Sequence, residues 1–374
     1  MPPTVLFVSK PIAPPFHDGS KCLVRDVAQN LTRVAPIVLS TPGAPPLRAA
    51  PGALPVRSVA AYGAPGGFTP ALSANLRAAA WVLLGSRANV WHFVFAPNAR
   101  TSKAGKLLRR LRGVPVVQTV ASPPRSFAHP QALFFGDLLV AQSAWTKRSI
   151  EIGYAGSGMP APRIEVIPPP VPDLSPPSAA AVASVRRQLT LAPEQRYLLY
   201  PGDLETSSGA EATAALAERM PSVLPDVVTV FAYRRKSARA VEVATRLAAR
   251  LPAAQTRFLE DAPDILALLA GAAAVVFPVD DLWGKVDLPI VLLEAMAVGV
   301  PVLVLDQGPL QDLQGVIQVA SLDAAGWLSQ ISSLLADPAR CAALVANQRT
   351  ALAERHAATV VARAYEELYL ELAR

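Results

Sequence analysis

The sequence predicts an α/β protein of two doubly wound, parallel-sheet domains, and three observations carry that prediction. Short apolar runs alternate with helical patterns along almost the whole chain, as strands joined by crossover helices do. A proline-dense stretch at residues 167–177 interrupts the alternation near the middle. The 374 residues are about twice a typical domain length. Composition agrees: 52% apolar and 17% charged residues are ample for large cores and too apolar for disorder.

In the first half, strand-like runs fall at 4–8, 36–39, 56–60, 90–95, 114–120, 138–141 and 164–167. Helical patterns fall at 18–33, 70–86, 101–112 and 143–152, and the Pro-, Ala- and Gly-rich stretch 40–55 reads as irregular. The run from Pro168 to Pro177 cannot sit in a helix or a central strand, so it marks a stiff connector. The second series has strands at 197–201, 227–232, 257–259, 274–278, 302–305 and 317–320. Its helices fall at 210–220, 238–251, 263–270, 288–298, 324–335 and 338–354, and a helix over 356–373 closes the chain. The expected organisation is an N-terminal domain over 1–172, a C-terminal domain over 173–355, and a final helix, 356–374, packing back toward the first domain. Two such domains imply a ligand cleft at the carboxyl ends of their sheets.

Several function classes are excluded. No G-x-G-x-x-G follows the first strand and no G-K-[ST] occurs, which argues against nicotinamide and P-loop chemistry. Cys22 and Cys341 are the only cysteines, so neither a disulfide framework nor a metal knuckle is expected, and a reducing compartment fits. The start lacks a basic segment followed by a long apolar one, so no secretory signal is read. The most apolar stretch, 288–305, carries Pro289, Gly299, Pro301 and Glu294, and reads as buried helix plus strand rather than as a membrane span.

Charge is uneven. Residues 1–175 hold 18 Lys/Arg against 6 Asp/Glu, and the remainder 17 against 22. Between Asp26 and Asp137 there is no acidic residue, against twelve Arg/Lys. Such an excess points to an anionic partner, a membrane surface, an acidic acceptor or nucleic acid, set against the plainer reading of a solvated basic face. Within it, Lys103, Lys106, Arg109, Arg110 and Arg112 surround Leu107, Leu108 and Leu111 in a cationic amphipathic helix.

Residues 285–302 are the most informative segment. Asp287 can cap a helix with Pro289 in its first turn, Gly299 stops it, and Pro301 launches the next strand. Glu294 is the only ionisable group between Leu288 and Leu305. A carboxylate among Ile290, Leu293, Met296 and Ala297 needs hydrogen-bond partners, and a pair of ligand hydroxyls accounts for it better than partners within the core do.

The block Leu293-Glu294-Ala295-Met296-Ala297-x-Gly299-x-Pro301-Val302 resembles the retaining glycosyltransferases of sequence family four, which have the GT-B fold. Ser143-x-x-Thr146, the run Ile164-x-Val166-Ile167-Pro168-Pro169, and Tyr200-Pro201-Gly202-Asp203 resemble further pieces of that family in the same order, over nearly the whole chain. The resemblance implies that Glu294 grips the donor ribose, that no metal or cofactor is needed beyond a nucleoside-diphosphate-sugar co-substrate, and that the departing phosphate acts as base. Asp280-Asp281 is read as loop capping rather than as a metal pair.

The sequence departs from the family where the donor sits. The second family Glu is Val286, the usual Arg is Asp203, the usual Lys is Ser207 or Ser208, and a frequent His is Ala121. Leaving-group charge then falls to other groups. The expected donor-binding set is Glu294, Gly19 at the start of the first helix, Arg234, Arg235 and Lys236 after a strand, Gly202, and Gly308, Pro309 and Leu310. Lys285, Asp287 and His17 are expected nearest the reacting atoms. His17 and Asp18 lie in the first strand-to-helix loop, Gln311 stands near an expected acid, and His92 reads as a core histidine.

The expected function is transfer of a sugar, with retention, from a nucleoside-diphosphate-sugar to an acceptor hydroxyl of unread identity. The alternatives are a catalytically impaired nucleotide-sugar-binding protein and a nucleotide-sugar epimerase. Nucleic acid is not an expected partner. The expected location is cytoplasmic, with peripheral contact to the inner face of an anionic membrane through the basic half as a further possibility.

Overall fold

The computed structural model describes residues 2–16, 18–63, 70–235 and 237–374. His17 and Lys236 therefore lie outside the described residues. The chain divides into two compact units, residues 1–172 with 283–290 and 355–374, and residues 173–282 with 291–354.

The first unit runs β1 (Thr4–Val8), α1 (Gly19–Gln29), β2 (Ala35–Leu39), β3 (Arg57–Val59), α2 (Leu72–Gly85), β4 (Val90–Phe95), α3 (Ala99–Arg112), β5 (Val116–Val120), α4 (Pro130–Leu133), β6 (Leu138–Ala141), α5 (Ala144–Gly156) and β7 (Arg163–Val166). Among the described residues these strands form one seven-stranded sheet, order β3-β2-β1-β4-β5-β6-β7, with every pairing parallel. The strand residues read as continuous apolar runs because helices cover both faces. Val5, Phe7, Val90 and Val117 pack under α1 and the C-terminal helix, while Leu6, Leu39, Trp91 and Phe93 pack under α2 and α3.

Local chemistry sets the helix ends. Asp18, Asn98 and Ser143 each accept a backbone N–H at the start of α1, α3 and α5, and Gly113, at φ 65°, closes α3 in the left-handed region. The helix expected over 18–33 stops at Gln29. The turn after it is taken up by Glu366, a buried carboxylate that accepts the N–H groups of Thr32 and Arg33.

The second unit runs α6 (Ala179–Gln188), β8 (Arg196–Tyr200), α7 (Gly209–Val223), β9 (Val227–Tyr233), α8 (Ala238–Arg250), β10 (Thr256–Glu260), α9 (Ile265–Ala270), β11 (Ala274–Phe277), α10 (Ile290–Ala297), β12 (Val302–Leu305), β13 (Ile317–Val319), α11 (Ala324–Ala336) and α12 (Pro338–Ala351). Among the described residues its sheet has six strands, order β10-β9-β8-β11-β12-β13, again all parallel. Helix α6 was not legible as a pattern; Ser178, directly after the prolines, caps it by accepting the Ala181 N–H.

A π-helical turn, Leu352–His356, leads from α12 into α13 (Ala358–Leu372). Val361, Ala362, Tyr365, Leu368 and Tyr369 of α13 enter the core of the first unit beside α1. His92 joins it there as a core histidine. It is fully buried, with Nε2 2.7 Å from Thr119 Oγ1 and Nδ1 2.6 Å from Tyr369 Oη.

Candidate functional site

In each unit the strand order reverses once, between β1 and β4 and between β8 and β11. Loops leaving the carboxyl ends of those strands flank a crevice, the ordinary ligand position in such sheets.

In the second unit, the loops after β8 and β11 are tied together across that point. Ser208 donates its N–H to Asp280 Oδ1 at 2.9 Å and its hydroxyl to Oδ2 at 2.6 Å. Burial alone would raise the Asp280 carboxyl, but these hydrogen bonds outweigh it and hold the group below the usual carboxylate range. Ser208, one of the two serines expected at a cationic position of the family, is thus committed to a loop clasp, and Asp280 braces that loop. Among the described residues no cluster of His, Cys, Asp or Glu could hold a metal ion.

Gly202 is fixed by packing. A Cβ there would meet the Tyr200 ring at 2.3 Å, and Tyr200 Oη donates to the Asp203 carbonyl at 2.9 Å. Asp203 is itself buried. On the same loop, Glu205 accepts a hydrogen bond from Ser237 Oγ at 2.9 Å, a link to the segment after β9 that the sequence does not signal. Arg234 and Arg235 follow β9 at its carboxyl end and are exposed.

Helix α10 carries Glu294 in its second turn. The sequence predicts an enclosed carboxylate; the structure leaves it half-buried. The reason is helical phase. Leu292, Leu293, Ala295 and Met296 face the core, whereas Val291, Glu294 and Val298, spaced i, i+3, i+7, form the less covered face. After β12, Gly308 takes φ 58° at the start of a 3-10 turn, with nothing within 4 Å of where its Cβ would stand. Pro309 and Leu310 are buried behind it, so this loop can offer a ligand main-chain groups rather than those side chains.

In the first unit, α1 begins after a loop closed by Asp18, which accepts from Lys10 Nζ at 2.6 Å and from the Ser20 N–H at 2.9 Å. Burial works to raise the Asp18 carboxyl, and the Lys10 charge with the Lys10 and Ser20 hydrogen bonds more than reverses it. The Ser20 N–H, beside Gly19 at the start of the helix, is thus already held by a carboxylate. Gly19 packs on Val286, whose Cγ1 would stand 2.8 Å from an added Cβ.

The segment 283–290 brings Lys285, Val286 and Asp287 to this unit. Asp287 is fully buried three residues ahead of α10, and Ser143 Oγ donates to its Oδ2 at 2.7 Å while accepting the Thr146 N–H at 3.0 Å. Pro289 lies just before α10 rather than inside its first turn. Lys285 is half-buried. The Arg125 guanidinium lies 4.0 Å from the centroid of the Trp283 ring, a cation–π pair absent from the sequence reading. A lone tryptophan in a Gly- and Asp-rich loop was its only signal. Ala121 is buried, and Gln311, exposed, offers its carbonyl to Gln318.

Away from these loops, a groove of about 1330 Å³ opens at the amino ends of β5, β6 and β7, lined by Lys103, Lys106, Arg110, Phe134, Tyr154 and Met159 among others. Among the described residues, no helix is long and apolar enough to cross a membrane.

Residues 195–337 match the family model of glycosyl transferases group 1. No curated protein matches the sequence. Among solved structures, HepE from Anabaena in complex with UDP-glucose matches at 15% identity and a TM-score of 0.70, over 98% of this chain and 99% of that one. A glycosyltransferase from Rickettsia africae matches at 14% identity and a TM-score of 0.72, over 99% and 98%. Sucrose-phosphate synthase from Thermosynechococcus elongatus matches at 19% identity and a TM-score of 0.72, over 100% and 99%. Identities this low carry the fold alone. That fold is GT-B, two Rossmann-like parallel-sheet units, as the sequence predicts.

Proposed function

We propose that the protein is a retaining glycosyltransferase that moves a sugar from a nucleoside-diphosphate-sugar to an acceptor hydroxyl. The observation that carries this reading is the half-buried carboxylate of Glu294 on α10, inside the stretch that matches the glycosyl transferases group 1 model. A carboxylate in that position accepts hydrogen bonds from both ribose hydroxyls, each charge-assisted. HepE, of the same fold, has been solved with UDP-glucose, which supports a nucleotide-sugar donor here.

The remaining roles follow from chemistry. Arg234 and Arg235, exposed after β9, offer positive charge, and the main chain at Gly308 of the same unit offers oriented N–H groups, for a diphosphate leaving group. In the transfer the bond from the sugar C1 to the phosphate oxygen breaks and a bond from C1 to the acceptor oxygen forms on the same face. The acceptor proton passes to the departing phosphate, so no side-chain base is required.

A second reading, nucleotide-sugar binding without turnover, is favoured by the loop after β8, where Ser208 is clasped to Asp280 and Asp203 is buried. Release of nucleoside diphosphate from a panel of donors, with the product anomer read by NMR, separates the two. The transferase reading expects nucleotide release, product of the donor's anomeric configuration, and at least about tenfold loss in Glu294→Gln, the scale of a charge-assisted hydrogen bond. Binding without release favours the second reading, and an inverted product removes the retaining mechanism.

A further inference from the structure

Helices α2 and α3 of the first unit are neighbours, and each turns leucines outward. On α2, Leu72, Leu76 and Leu84 are exposed at 75, 62 and 80% of their surface; on α3, Leu107 and Leu111 are each at 58%. The spacings of four and eight residues place each row on one helix face. Arg112, at the end of α3, donates to the carbonyls of Leu83 and Ser86 at the end of α2, so the two rows adjoin. Scattered exposed leucines are ordinary, but five on adjoining helices form a patch that calls for an occupant.

The charge around the patch has one sign. Residues 70–113 hold eight Arg/Lys and no Asp or Glu. Arg77, Arg87, Arg100, Lys103 and Arg110 are exposed. Lys106 is steadied on the Gln131 carbonyl, which fixes its position beside Leu107 without cancelling its charge.

We propose that this face docks the first unit on an anionic phospholipid bilayer, with the leucine tips at the boundary of headgroups and acyl chains and the cations on lipid phosphates. A second copy of the chain is a poor occupant, because a symmetric contact would set cations against cations. This inference is independent of the transfer chemistry, because vesicle binding is measured with no sugar nucleotide present.

The test is sedimentation of the full chain with phosphatidylcholine vesicles, with and without phosphatidylglycerol. The expected result is pelleting with the phosphatidylglycerol vesicles only, weakening as salt is raised. Two double variants, Leu84→Asp with Leu107→Asp and Lys103→Glu with Arg110→Glu, should keep the parent melting temperature and lose binding by about tenfold or more. A chain that stays in the supernatant at low salt, or variants that bind like the parent, overturns the proposal. So does self-association of the lipid-free chain that the leucine variants abolish, because the face would then be a contact between copies.

Discussion

Ser143 does two things at once: its Oγ accepts the Thr146 N–H and donates to Asp287. The cap was legible in part, because a serine opens the helical pattern at 143–152 and serine is a preferred N-cap residue. The partner was not, because Asp287 is 144 residues away and no local pattern reports such a pairing. Removing the hydroxyl in Ser143→Ala leaves both a helix N–H and a fully buried carboxylate short of a hydrogen bond. The expected cost is about 2 kcal/mol, read from chemical denaturation of the full chain. Glu294 should behave in the opposite way. Glu294→Gln keeps the shape of a side chain that is only half-buried, so donor affinity should fall by more than stability does, read by ligand titration beside chemical denaturation. The sequence identified the residue but overstated its burial, since apolar neighbours in a sequence do not fix which way a helix is turned.

At the scale of elements, the loop after β8 rests on Gly202. The sequence reads this glycine as part of a donor loop, and the structure adds that its missing Cβ admits the buried ring of Tyr200. Gly202→Ala should therefore destabilise the second unit by about 1–3 kcal/mol, the cost of overpacking, as a drop in its denaturation midpoint. His92 on β4, bonded to Tyr369 of α13, and His356 in the lead-in to α13 make the first unit sensitive to acid. Burial depresses His92 to about 3, and burial depresses His356, against the opposing pull of the Pro169 carbonyl, to about 4. Both are lowered below the value near 6.5 of an unfolded histidine, so acid favours the unfolded chain. Their stabilising contribution is complete above pH 6.5 and declines as pH falls toward those two values. The slope is about 1.4 kcal/mol per pH unit for each ring. Protection of the β4 and β5 amides against hydrogen exchange, corrected for intrinsic rate, should fall between pH 6.5 and 5, and fall less in His92→Gln.

For the whole molecule, alternation and the proline-dense stretch made the two-unit α/β plan legible, because strand and helix periods are written locally. The order of strands is not local: that β4 pairs with β1, and β11 with β8, emerges only when the sheets close. The same limit hid the Ser208–Asp280 clasp and the Arg125–Trp283 pair. The central claim concerns one ligand class and one carboxylate, and ligand-dependent melting of the full chain tests it most directly. A ligand that binds only the folded state raises the melting temperature, by an amount that grows with its concentration over its dissociation constant. Across nucleoside diphosphates and their sugars, the account predicts that at least one raises the melting temperature of the parent and that Glu294→Gln loses most of that rise. A panel that moves the parent nowhere, or a rise that Glu294→Gln keeps in full, would contradict it.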